Sequence, residues 1–130
     1  MTDSEFLAAF EAATLPPQAF DHRAHLRAAC LYLAAGPFLE ACIAMRDSLR
    51  RYAGHIGKAG LYHETVTVAF MSVIAEHMAA APGQSWQVLL ERHPELCDRR
   101  LLERYYAPER LASAAARARF VLNERMPAGS

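Results

Sequence analysis

The side chains of this chain best suited to chemistry are three histidines and a glutamate: His22, His25, His63 and Glu64. His22 and His25 stand three apart in Phe20-Asp21-His22-Arg23-Ala24-His25-Leu26, so on a helix they are neighbours on one face. Advancing about 100° per residue, Leu26, Ala29 and Leu33 fall within roughly 40° of His22, and His25 lies roughly 60° to its other side. Both imidazoles therefore lie on or beside the stripe that must face the core, at the first turn of their helix. His63 opens a later helix in Leu61-Tyr62-His63-Glu64-Thr65-Val66-Thr67. It falls within about 20° of a stripe of Val66, Phe70, Val73 and Ile74, while Glu64 sits at the margin, roughly 110° away.

Three inward, neutral imidazoles with an open position make a zinc-type catalytic site. Imidazole also suits iron, nickel and copper, so the ligand set leaves zinc, iron, manganese or nickel open. Glu64 is expected as general base or as a fourth ligand, which would favour iron or manganese. A metal-free acid–base site of His25 or His63 with Glu64 is the alternative use of the same residues. The paired Glu-x-x-His motifs of di-iron bundles and the His-Glu-x-x-His of zincins are absent. Tyr62, Tyr106 and Arg117 are the expected substrate-lining residues, Arg117 as a clamp on an anionic ligand. Of the other histidines, His77 reads as structural, in the last turns of its helix, where it meets the dipole favourably. His55 falls off the core stripe of its helix, and His93, before a proline, reads as a surface loop residue.

Helices must position these groups. Thr2 with Glu5 forms a capping box for a first helix whose apolar face is Phe6, Leu7 and Phe10, and Leu15-Pro16-Pro17 ends it. Asp21 is the N-cap of the second helix, which runs to about Ala35 before Gly36-Pro37. The third spans about Phe38 to His55, with Phe38, Cys42, Met45, Leu49, Tyr52 and Ile56 on one stripe. The Gly57–Gly60 turn leads to a fourth, from about Tyr62 to about Ala80. Ser85 caps a short helix closed by Pro94, and another short helix holds Leu101, Leu102, Tyr105 and Tyr106. Pro108 opens a final helix expected to reach about Asn123. No strand alternation is present. The fold class is all-α: one domain over residues 1–130, a compact bundle of three or four longer helices and two short ones. Residues 1–17 are an N-terminal helix and linker, and 124–130 read as a flexible tail. With short loops, the second and fourth helices run in one direction beside an antiparallel third. Their first turns, and the three histidines, then lie at one end.

Composition bounds the function classes. With 53% hydrophobic and 22% charged residues, the 130-residue chain is globular and can bury a core without staples. Fourteen basic and fourteen acidic side chains give a formal charge of zero, which argues against nucleic acid or an anionic membrane as main partner. Three widely spaced cysteines, Cys30, Cys42 and Cys97, imply free thiols, and none stands near a histidine at a helix start as a nucleophile would. Without a basic, apolar leader or a run near the ~20 residues of a membrane span, the expected location is cytoplasmic.

The Phe20-x-His22-x-x-His25-Leu26 segment, the Tyr62-His63-Glu64-Thr65 run and the Tyr105-Tyr106 pair together resemble a group of small helical bacterial proteins without an assigned function. The resemblance covers roughly residues 18 to 122 and implies the fold but no activity. There is a looser likeness of design to DinB-like bundles, which hold a metal with three histidines but space their pair His-x-x-x-His. The resulting expectation is a metal-dependent enzyme acting on a small molecule. The alternatives are a non-catalytic haem- or metal-binding module, and a helical interaction protein whose histidines are structural.

Overall fold

A computed structural model describes residues 1–123. Among them are seven α-helices and no strand: α1 (Asp3–Glu11), α2 (His22–Ala35), α3 (Phe38–His55), α4 (Glu64–Ala80), α5 (Trp86–Arg92), α6 (Pro108–Leu111) and α7 (Ala114–Ala118). Single 3-10 turns at Pro17–Ala19, Ala59–Leu61, Pro94–Cys97 and Leu101–Arg104 link them. The expected tail, 124–130, lies outside the described residues. No described helix is long and apolar enough to cross a membrane.

Local chemistry sets the boundaries. Thr2 Oγ1 accepts from the Glu5 N–H and the Glu5 carboxylate accepts from the Thr2 N–H, completing the capping box of α1. Asp21 accepts from the Ala24 N–H at 2.9 Å and starts α2. Gly57, at φ +76°, adopts the left-handed conformation just beyond α3. Gly83 does the same in the turn between α4 and α5.

Helices α2, α3 and α4 pack on one another and carry the core. Phe6 and Phe10 of α1, Leu26 and Ala28 of α2, Met45 and Tyr52 of α3, and Met71 and Ile74 of α4 are all buried. At one end the rings of Phe10, Phe20 and Tyr52 form a cluster, Phe10 and Phe20 stacked at 4.5 Å between centroids and Tyr52 edge-on to both. The Tyr52 hydroxyl, otherwise stranded there, donates to the Leu15 carbonyl at 2.8 Å. Residues of the first turns of α2 and α4 meet Leu49, in the later half of α3, around one cavity. That is the arrangement expected of an antiparallel α3.

Three sequence expectations are corrected. The fourth helix starts at Glu64, with His63 as its N-cap outside the first turn. The single final helix is two short ones, because Ser113 caps a new start by accepting from the Ala116 N–H. Beyond α7 the chain leaves the helix to dock on α4: Thr65 Oγ1, fully buried, donates to the Arg119 carbonyl at 2.8 Å and accepts from the Val121 N–H at 3.0 Å. Cys30 and Cys42 are buried, Cys97 is exposed, and all three are free thiols, as expected.

Candidate functional site

A cavity of about 220 Å³ lies between α2, α3 and α4. Its walls are largely apolar, with Leu26, Met45, Leu49, Phe70, Met71 and Ile74 among them. Its polar members are His22, His25, Thr67 and Arg99. Thr67 spends its hydroxyl on the His63 carbonyl at 2.8 Å, which leaves the two imidazoles and the guanidinium as the groups that can meet a guest.

His25 lies at the centre of this end of the bundle. Its ring rests on Phe20 at 4.2 Å between centroids, and it borders both this cavity and a second one, of about 320 Å³, lined also by Tyr52, Tyr62 and His63. No hydrogen bond from another described residue ends on its ring nitrogens. Burial, with the nearby His22 and Arg99, pushes its pKa down to about 4, so it is a neutral base at physiological pH. His22 meets the edge of Phe70 at 5.7 Å and donates through Nε2 to the Leu96 carbonyl at 3.3 Å. Burial lowers its pKa as well, against the opposing pull of that carbonyl.

His63 lies at the same end but is already engaged. Its Nδ1 accepts from the Val66 N–H at 3.1 Å, which caps α4, so the ring proton is on Nε2. Nε2–H donates to the Leu111 carbonyl at 2.7 Å and fastens α6 to the start of α4. With both nitrogens spent, His63 has no lone pair to give a metal. His22, His25 and His63 therefore border adjoining cavities that share Val66, without gathering their nitrogens on one point. Capping the helix, rather than lying within its first turn, accounts for the difference.

The remaining expected site residues are distributed elsewhere. Glu64 accepts from the Tyr62 hydroxyl at 2.6 Å and pairs with Arg46 at 3.4 Å, facing a separate surface cleft that also holds Arg50 and Arg117. Arg117 donates to the carbonyls of Gly60, Leu61 and Tyr62, closing the turn before α4. Tyr106 is buried and donates to the Val121 carbonyl at 2.8 Å, a fastening of the C-terminal segment. Tyr62 lines the second cavity beside His25.

The group of ligand atoms that does converge was read differently in the sequence. His77, His93 and Glu95 each offer one atom, all within 4.8 Å of one another, a geometry competent to hold a metal ion. His77 is in the last turn of α4, His93 ends α5, and Glu95 follows Pro94 in the next turn. The histidines are sixteen positions apart, on two different elements, so no periodic pattern connects them. The His93-Pro94-Glu95 run, a proline-fixed turn carrying two ligand types, is the signal that could have found them. Compared with known protein families, with curated proteins and with solved structures, the chain finds no match.

Proposed function

We propose that this protein binds a small, mostly apolar molecule with an anionic head in the cavity between α2 and α4, and that His25 faces that head as a neutral base. The observation that carries this reading is the apolar cavity itself, with His25 and Arg99 as polar groups facing it and His22 beside them, bonded through Nε2 to Leu96. An apolar cavity of about 150 Å³ takes up benzene. One of about 220 Å³ therefore has room for a ring or branched chain of that size and a carboxylate. Arg99 supplies the charge for the head, and a neutral His25 supplies a base beside it. Arg99 is exposed, whereas the burial of His25 strengthens its interaction relative to water.

The metal-dependent enzyme expected from three inward histidines would have to be built here on His22 and His25, with His63 spent on its cap and on Leu111. Metal-free acid–base chemistry is the simpler use of the same pair. Phenylacetate, benzoate and hexanoate, with phenylethanol as the uncharged control, test the reading by calorimetry. At least one acid should bind with an affinity that falls tenfold or more in both Arg99→Ala and His25→Gln, and binding should persist after treatment with a chelator. Failure of all three acids to bind, or equal binding by both variants, would defeat the reading. Binding abolished by the chelator and restored by a divalent metal would favour the metal-dependent form.

A further inference from the structure

We propose that His77, His93 and Glu95 form a zinc site that clamps the end of α4 to the turn following α5. Each ligand position has a structural cause. His77 Nδ1–H donates to the Val73 carbonyl one helical turn back, at 2.8 Å. That bond fixes the tautomer and aims Nε2, with its lone pair, at Glu95, and a backbone carbonyl on the other nitrogen is the usual orienting partner of a metal-bound histidine. His93 ends α5, and Pro94 fixes the turn that brings Glu95 back beside it.

Both distances from Glu95 match the edges of a tetrahedral site, and the two imidazole nitrogens lie within 4.8 Å of each other. Zinc holds histidine nitrogen and carboxylate oxygen at about 2.0–2.2 Å, so two ligand atoms on one tetrahedron stand roughly 3.3–3.6 Å apart. Glu95 Oε1 lies 3.6 Å from His77 Nε2 and 3.4 Å from His93 Nδ1. These are tetrahedral edges, longer than ordinary charge-assisted hydrogen bonds of about 2.7–2.9 Å. The imidazole rings, 4.5 Å apart and near perpendicular, approach without stacking. All three side chains are about one-third exposed or less, which leaves a path for the ion and a fourth position for water. Two nitrogens and one carboxylate oxygen are a borderline ligand set, suited to zinc over the oxygen-preferring magnesium or calcium.

The clamp has a consequence for the neighbouring cavity. The turn that carries Glu95 also carries Leu96, whose carbonyl receives the His22 proton, and leads to Arg99 at the cavity mouth. Zinc would hold that turn in place. This consequence rests on the cavity reading, whereas zinc binding itself does not.

The test adds zinc to chelator-treated protein in competition with a chromophoric chelator. One equivalent should bind per chain. His93→Ala and Glu95→Gln, both near the surface, should lower the affinity tenfold or more while the circular dichroism spectrum stays that of the parent. His25→Gln should bind zinc as the parent does. Hydrogen exchange of the backbone from 93 to 99 should slow on zinc addition. Absence of a one-equivalent phase, or unchanged affinity in both His93→Ala and Glu95→Gln, would overturn the site. Loss of zinc binding in His25→Gln would overturn it also, by placing the metal at the other end.

Discussion

Nε2 of His22 lies 3.3 Å from the carbonyl oxygen of Leu96, and this contact joins the first turn of α2 to a turn more than seventy residues later. The residue before Leu96 is Glu95, between His77 and His93; three residues beyond it is Arg99, at the mouth of the cavity. One short 3-10 turn thus carries Glu95 of the His-His-Glu group and, through the Leu96 carbonyl, holds His22 of the cavity wall.

The burial of His25 makes stability depend on acidity. Its pKa is about 4 in the folded chain and about 6.5 when exposed, so the unfolded chain binds the extra proton first as pH falls. The contribution is complete above about pH 6.5 and is lost as pH falls toward 4, amounting to up to about 3 kcal/mol. His22, shifted the same way, adds to the slope. Urea denaturation at pH 7 and pH 4.5 should show the parent losing more stability than His25→Gln between the two. Equal losses would show that His25 is not held neutral by the fold.

His63 should behave as a cap and a tie. His63→Ala removes the acceptor for the Val66 N–H and the donor to the Leu111 carbonyl. A lost cap costs about 0.5–2 kcal/mol, and the unpaired carbonyl adds to that. His63→Asn, a good cap too short to reach Leu111, should recover part of the loss. Urea midpoints of the three proteins check the order.

Thr65 should hold the C-terminal segment. Thr65→Val keeps the shape but strands the Arg119 carbonyl and the Val121 N–H, at about 1–3 kcal/mol for each group left buried and unpaired. Limited proteolysis should cut the variant after Arg117 or Arg119 faster than the parent. Unchanged cleavage would show that Tyr106, through its bond to Val121, holds the segment alone.

Most of the architecture was legible because caps and breakers act locally. Thr2, Asp21 and Ser85 mark helix starts by side-chain bonds reaching three residues on, and each does so in the structure. The paired placement of His22 and His25 on the buried side of α2 follows from helical period alone. His63 falls just outside the helix, as its cap, because a wheel drawn through Val66 and Phe70 extends back past the point where the helix begins. Arg117 and Tyr106 bond backbone carbonyls remote in sequence, and nothing in side-chain spacing announces such partners. The approach of His77 to His93 is likewise set by how the turn after α4 folds α5 back.

The pH titration of the His25 ring nitrogens by NMR tests most directly whether His25 is a neutral base facing an anion-binding cavity. Without ligand, the His25 nitrogens should titrate near pH 4, well below an exposed histidine. With saturating phenylacetate, or whichever of the acids binds most tightly, the anion should favour the imidazolium and move the titration upward by a pH unit or more. Correspondingly, affinity for the acid should rise as pH is lowered toward 5. A His25 that titrates near 6.5 without ligand, or whose titration does not move on saturation with an acid, would contradict the account.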